Sequence, residues 1–434
     1  MIKRKIINKI EEYLQSKSDK LLVLDGTRQV GKSFLIREIC KKKYDNYIEV
    51  DLKNDKENAK VFSKINSVDK FYKALNLDDD NHDFVSTIIF LDEIQTYTNI
   101  LILLKSLLDD KRLKFIAASF SLNLTLEKEK INPDFIEVVD LYPLDFEEFL
   151  WANNYDERYI DIIRSYYEKQ ERLPDHFHKN LIRNFKNYIL VGGMPEAVSC
   201  FLKTNNIDEV RKIHDRIIDV FFDTIIEYEN LSRKRLKLKH IYDLIPYILN
   251  STNNRIIIKN IEGKIGVRTN DYKDEFEYLS SSKFIIDVKA IHLPSFPLKE
   301  NIGKQYFRLY LNDIGLYSSI ILKNNIKCND PLDSLYKNFV AQQLNSQYHN
   351  LYYYRNIKSE INFIISDKDD NSIIPIEVNS GKQNKYHKFL SKFMNTNKDI
   401  INQSIIISDE AEYYNISNIY YMPIYFVMFF NYDS

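Results

Sequence analysis

Gly26-Thr27-Arg28-Gln29-Val30-Gly31-Lys32-Ser33 places two glycines, a lysine and a hydroxyl at the spacing G-x-x-x-x-G-K-[ST]. Each residue type has a physical task if the ligand is a chain of phosphates. Gly26 and Gly31 let the backbone wrap closely enough for its N–H groups to point inward, in conformations that a side chain would obstruct. A helix starting near Lys32 turns the positive end of its dipole toward the same anions. Lys32 then reaches the β- and γ-phosphates of a nucleotide such as ATP, and the Ser33 hydroxyl gives one oxygen to Mg²⁺. A chance strand-to-helix turn is a poor account of the match in a chain with nine glycines among 434 residues.

A second group of residues suits the same chemistry. Ser86-Thr87-Ile88-Ile89-Phe90-Leu91-Asp92-Glu93 is a β-branched, apolar run that ends in two acids. It has the character of a parallel strand covered on both faces, with its carboxyl end opening on a site. In that role Asp92 holds the Mg²⁺ shell and Glu93 polarises the attacking water. Paired acids at a strand end are also ordinary solvated chemistry, and it is the upstream glycine loop that favours the catalytic reading.

The surrounding pattern supplies the elements that must position these groups. Leu21 to Asp25 reads as a strand and Phe34 to Cys40 as a helix, so the loop lies between strand and helix. Residues 2–15 read as an amphipathic helix, Asn46 to Leu52 as a second strand and Ile100 to Leu108 as a helix. Leu113 to Ser121 reads as a strand ending in hydroxyls. Ser119 and Ser121 are candidates for sensing the γ-phosphate or orienting water, with turn chemistry as the alternative for both.

Composition sets the outer limits. Lys+Arg 61 against Asp+Glu 62 gives a net charge of −1, and no global basic field announces nucleic acid. Cys40, Cys200 and Cys328 are few, far apart and odd in number, which suits a reducing cytosol better than a disulfide framework. The start, Met1 to Ile7, reaches acids at Glu11 and Glu12 too soon for a secretory signal. The late apolar run from Ile419 to Phe430 is broken by Pro423 and is short for a membrane helix. The expectation is a soluble, cytoplasmic protein with no membrane partner. Its length leaves room for two to four domains.

Three segments carry a more specific likeness: residues 26–33, Phe90-Leu91-Asp92-Glu93-Ile94-Gln95, and Leu141-Tyr142-Pro143-Leu144-Asp145-Phe146-Glu147-Glu148-Phe149-Leu150. Together they resemble a family of bacterial and archaeal AAA-type ATPases that read G-P-R-Q-V-G-K-T, then L-D-E-I-Q, then L-x-P-L-S-F-x-E-F. The resemblance covers nearly the whole chain and implies ATP and Mg²⁺ as ligands. It also implies a homologous division: an α/β P-loop domain over 1–155, a helical lid over 156–232, a winged-helix-like module over 233–292, and a nuclease-like α/β domain over 293–434. Gly192-Gly193-Met194-Pro195 matches the family's G-G-M-P and reads as an architectural bend. In the winged-helix stretch, Arg235, Lys237, Lys239 and Arg268 do not decide between reading DNA and packing. The family commonly has a Gly-Arg pair after the sensor strand; this chain has Glu127 to Asp134 there, without an arginine. Such a residue is worth about 10³ to 10⁵ in rate, so turnover is slow or the arginine comes from elsewhere.

The last region resembles the restriction-endonuclease-like fold, in which an acid, a second acid and a Glu-x-Lys pair bind Mg²⁺. Here Lys337 replaces the helix acid, Asn362 the aspartate and Asn379 the lysine, and Glu377 alone remains, with Lys382 nearby. One acid and two amides make a poor metal site. The expected protein is an ATPase that couples its nucleotide state to a DNA or protein partner through a silent nuclease-like domain. Two alternatives stay open, an ATP-gated DNA nuclease and a slow nucleotide-controlled binding switch, as does a homo-oligomer.

Overall fold

Runs of Leu, Ile, Val and Phe five or six residues long are too short for core helices and too continuous for half-exposed strands. The computed structural model describes residues 2–51, 60–77, 84, 86–96, 98–229, 238–239, 245, 273–323, 331–355, 360–367, 371–380 and 387–430. In it these runs become β1 (Leu21–Asp25), β2 (Asn46–Asp51), β3 (Thr87–Asp92), β4 (Lys114–Ser119) and β5 (Ile136–Asp140). They pair in the order β2-β3-β4-β1-β5, and every pairing is parallel.

β1 and β3 are buried at every position because helices cover both faces of the sheet, as parallel sheets require. Alternate residues feed two cores. Leu21, Val23, Ile89, Leu91 and Phe115 pack with Leu101 and Leu104 of the helix Thr98–Asp109. Leu22, Leu24, Ile88, Phe90 and Ile116 pack instead with Ile10 of the helix Ile6–Gln15 and with Ile36 and Ile39 of the helix Lys32–Lys43. This two-sided packing fixes the strand register. Asp25 stands level with Ser119, and Asp51 with Asp92, so the strand ends that carry polar residues share one edge of the sheet.

The chain divides into two compact units, the first made of residues 3–142 and 281–283. Residues 143–155, expected with the ATPase domain, belong to the second unit. That unit begins with a helix, Phe146–Ala152, started by a reciprocal cap between Asp145 and Glu148. Further helices are Glu157–Lys169, Asp175–Val191, Pro195–Thr204 and Ile207–Glu229. The rings of Phe146, Phe185, Tyr188 and Phe339 meet edge to face at centroid separations of 4.8–6.3 Å, a favoured aromatic arrangement.

The second sheet has eight strands: β6 (Ile285–Ile291), β7 (Ile302–Leu311), β8 (Tyr352–Arg355), β9 (Glu360–Asp367), β10 (Ser372–Val378), β11 (Ser404–Ser408), β12 (Tyr414–Ile416) and β13 (Ile419–Pro423). Their order is β12-β13-β11-β10-β9-β8-β6-β7, with mixed directions. The boundary expected at 292 falls inside this sheet, since β6 pairs with β7 and β8. Most of the expected winged helix, including Arg235, Lys237 and Arg268, lies outside the described residues.

Two motifs that are far apart in sequence meet in the second unit. The Asp313 carboxylate accepts the Gly193 N–H at 2.6 Å and the Leu316 N–H at 2.9 Å. Gly192 has a φ of 70°, and a Cβ there would collide with that carboxylate. The bend in Gly192-Gly193-Met194-Pro195 is therefore a docking point for the segment around Asp313. Among the described residues, no helix is long and apolar enough to cross a membrane.

Candidate functional site

The loop between β1 and the helix Lys32–Lys43 takes its shape from its glycines. Gly31 precedes the helix with φ 100° and ψ 15°, a conformation costly for a residue with a Cβ. A Cβ at Gly26 would run into the Leu141 carbonyl. Val30 is buried against Leu35 and Leu141 and so anchors the loop to the core. Gln29 is exposed and left-handed, with a φ of 62°. Thr27 is buried, and its carbonyl faces inward.

Lys32 is 5% exposed, and its ammonium donates to the Gly26 carbonyl at 2.7 Å and the Thr27 carbonyl at 2.9 Å. An ammonium has three donors, so two hold the loop in shape. Burial lowers the Lys32 pKa to about 8, against the opposing pull of Glu93 and Asp25. A desolvated cation of this kind gains from a partner anion.

Asp92 and Glu93 follow at the end of β3. Burial pushes Asp92 up to about 6, and a hydrogen bond with Ser33 acts in the opposite direction. Ser33 and Asp92, singled out separately in the sequence, are thus in contact. An acid so buried and a hydroxyl beside it fit a hard cation such as Mg²⁺, which favours oxygen ligands and keeps much of its shell as water and phosphate. Glu93 has left-handed backbone, φ 53°, at a cost of about 1–2 kcal/mol for a residue with a Cβ. The turn aims its carboxylate back at the loop. Arg28 Nη1 donates to Oε1 at 2.7 Å, and Gln95 Nε2 donates to Oε2 at 2.7 Å.

Gln95 links this group to the end of β4. Its Oε1 accepts from the Ser119 hydroxyl at 2.8 Å and from the Phe120 N–H at 3.2 Å. Ser119 is therefore joined to Glu93 through one buried amide. Ser121 instead precedes the helix Leu122–Glu129 with φ 58°, and its buried hydroxyl has no hydrogen-bond partner among the described residues.

Two participants escaped the sequence reading. Gln95 lies within a quoted segment, but nothing in the residue type announces a bridge. Lys283 is 258 positions from Asp25; it pairs with Asp25 and, at 3.0 Å, with Asp140. The other Asp25 oxygen accepts the Leu122 N–H at 3.3 Å. Lys283 thereby balances the charge of a buried acid immediately before Gly26.

Among solved structures, the chain is similar to a Walker-type ATPase of Pyrococcus abyssi, with 17% identity over 74% of this chain and 96% of that one and a TM-score of 0.45. The ORC1 protein of Aeropyrum pernix in complex with DNA matches at 11% identity over 74% and 91%, TM-score 0.30. The Hsp104–ADP complex of S. cerevisiae matches at 15% over 65% of this chain and 38% of that one, TM-score 0.29. No curated protein sequence matches. Residues 182–327 and 332–427 match two domains of unknown function, DUF8612 and DUF4143. Residues 18–150 match the AAA domain family, so the glycine loop and the end of β3 both lie within an AAA-type domain.

Proposed function

We propose that the protein is a Mg²⁺-dependent ATPase that couples its nucleotide state to a DNA or protein partner through a catalytically silent C-terminal region. One feature supports this most: a loop lysine, an aspartate bonded to serine and a glutamate in left-handed backbone converge at one edge of a parallel sheet. In this reading the backbone of residues 26–33 wraps the phosphates, and Lys32 turns its third donor to the γ-phosphate. Ser33 and Asp92 hold Mg²⁺, which when bound withdraws charge from the phosphate oxygens. Glu93 takes the proton of the attacking water as the new P–O bond forms. The bond to the bridging oxygen breaks, and ADP leaves with that electron pair. Ser119 acts on Glu93 through Gln95.

For the remainder we keep the division into a helical lid over 156–232, a winged-helix-like module over 233–292 and a nuclease-like platform over 293–434. The silence of the platform rests on residues already committed elsewhere. Asn362 Oδ1 accepts the Val378 N–H at 2.8 Å, and Lys337 pairs with Asp333 at 2.6 Å.

Equilibrium binding of a fluorescent ATP analogue and phosphate release test the proposal together. The wild type binds and turns over only with Mg²⁺, and Lys32→Ala weakens binding by about 100-fold, the scale of a lost charge-assisted hydrogen bond. Unchanged affinity in Lys32→Ala would sink the reading. A second reading, the slow nucleotide-controlled switch, is favoured by the occupation of both Glu93 oxygens. A turnover orders of magnitude below the ~10 s⁻¹ typical of enzymes, unaltered by DNA, would select it.

A further inference from the structure

The segment from Glu127 to Asp134, where the resembled family keeps an arginine, holds Lys128 and Lys130 but no guanidinium. The loop itself contains one. Arg28 lies between Gly26 and Gly31, its side chain is only 14% exposed, and it is paired with Glu93, itself 11% exposed. Its guanidinium stands over the Phe120 ring at 5.2 Å, and its buried Nε has no hydrogen-bond partner among the described residues. A guanidinium offers five donors in a fixed fork suited to phosphate oxygens, so this one has capacity to spare.

We propose that Arg28 is a γ-phosphate reader held in reserve on Glu93, so that triphosphate entry moves the guanidinium from carboxylate to phosphate and frees Glu93 to accept a proton. The inference rests on the ATPase reading above. While Arg28 donates to Oε1 and Gln95 to Oε2, both Glu93 oxygens are engaged within the loop and turned from an incoming water. The γ-phosphate carries more negative charge than Glu93 and offers the fork two oxygens. A diphosphate lacks that group and leaves the latch closed. The device is supplied in cis and needs no neighbouring chain.

The test is equilibrium binding of a non-hydrolysable ATP analogue and of ADP to wild type, Arg28→Gln, Arg28→Lys and Glu93→Gln, with ligand-free melting to monitor folding. Arg28→Gln is expected to weaken the analogue by about 10- to 100-fold and ADP by less than about threefold. Glu93→Gln is expected to tighten the analogue and leave ADP unchanged, because the competing carboxylate charge is gone. Arg28→Lys keeps part of the preference for the triphosphate, having the charge without the fork. Equal loss of both nucleotides in Arg28→Gln overturns the proposal, as does a Glu93→Gln variant with wild-type preference. So does an ATPase rate that survives Arg28→Gln but falls on dilution, which would place the arginine on a neighbouring chain. If Lys32→Ala also binds both nucleotides normally, the ATPase reading itself has failed, a different result from failure at Arg28 alone.

Discussion

The edge of the five-stranded sheet and the β9–β10 region of the eight-stranded sheet both present polar residues on short buried strands, but they use them differently. At the first, hydrogen-bonding capacity is left over. Lys32 uses two donors of three, and the Nε of Arg28 and the hydroxyl of Ser121 are buried without a partner. At the second, capacity is spent locally. Asn362 braces β10, Lys337 pairs one helical turn away, and Glu377 meets His387 Nδ1 at 2.7 Å. Buried polar groups are costly when unsatisfied, and the spare donors of Lys32 and Arg28 lie on the glycine loop, where an anion would complete them. The difference sets Lys32 and Arg28, which have donors to spare, apart from Asn362, Lys337 and Glu377, whose side chains are already engaged.

The sharpest way to break this contrast is Glu93→Gln. The amide keeps the size of the side chain and one acceptor but loses the basicity, so phosphate release is expected to fall by about 10³-fold, within the range of general-base catalysis, while nucleotide binding persists. Single-turnover phosphate release checks it. Wild-type turnover in this variant would leave the left-handed glutamate with no chemical role.

The parts of the site legible in the sequence were those set by local spacing. Gly26, Gly31, Lys32 and Ser33 lie within eight residues, and Asp92 and Glu93 end a run whose composition already dictates a buried strand. Four strands of the first sheet, β1 to β4, were visible for the same reason, as short apolar runs such as Ile88 to Leu91, whereas Ile136–Asp140 and Ser404–Ser408 were not read as strands. Lys283 was invisible because its partnership with Asp25 depends on chain closure over 258 positions, which no periodicity encodes. Gln95 was visible as a letter in a motif, but its bridge from Glu93 to Ser119 exists only once β3 and β4 lie side by side. The pairing of β6 with β7 and β8 was not legible either, because Ile285 to Ile291 alternates like any half-buried strand and alternation does not say which sheet a strand joins.

The docking of Asp313 on Gly192-Gly193 predicts that the second unit is broken through packing at this point. Gly192→Ala puts a Cβ against the Asp313 carboxylate at a φ of 70°, and its melting transition is expected about 5 °C or more below wild type. His214 gives a smaller, pH-dependent effect. It is fully buried, its Nε2 faces the Val191 carbonyl at 3.0 Å and its Nδ1 the Ser319 hydroxyl at 2.7 Å. A carbonyl only accepts, so the proton sits on Nε2 and Nδ1 accepts from the serine. Burial lowers the pKa to about 4 from an ordinary 6.5. Between these values the unfolded chain binds the extra proton and the fold does not. The stability held by neutral His214 is therefore complete above pH 6.5 and lost as pH falls toward 4, by about 3 kcal/mol. Denaturation at pH 7.5 and 4.5 is expected to give a flatter dependence in His214→Gln, and equal slopes would mean that the imidazole is charged in the fold.

The smallest effect is expected at Glu377, and it bears most directly on the contrast. Were this acid the remnant of a working metal site, its removal would abolish Mg²⁺- or Mn²⁺-dependent cleavage of DNA. Hydrolysis of that kind needs several carboxylates to hold the ion and acidify its water. The neighbouring positions supply Asn362, whose oxygen is used by Val378, and Asn379, whose backbone N–H continues the pairing to Ile407 at 2.9 Å; Lys382 lies outside the described residues. Glu377 itself faces an imidazole at hydrogen-bond distance, with both side chains 11–14% exposed. A hydrogen bond to a charged group buried to this degree contributes about 1.5–3 kcal/mol. Glu377→Gln is therefore expected to keep ATP turnover within about twofold and to lower stability by no more than that pair is worth. Plasmid incubated with the wild type, ATP and either metal is expected to remain intact. Cleavage by the wild type that disappears in Glu377→Gln would make the second sheet a reactive region too, because one carboxylate would then be holding an ion that its spent neighbours cannot.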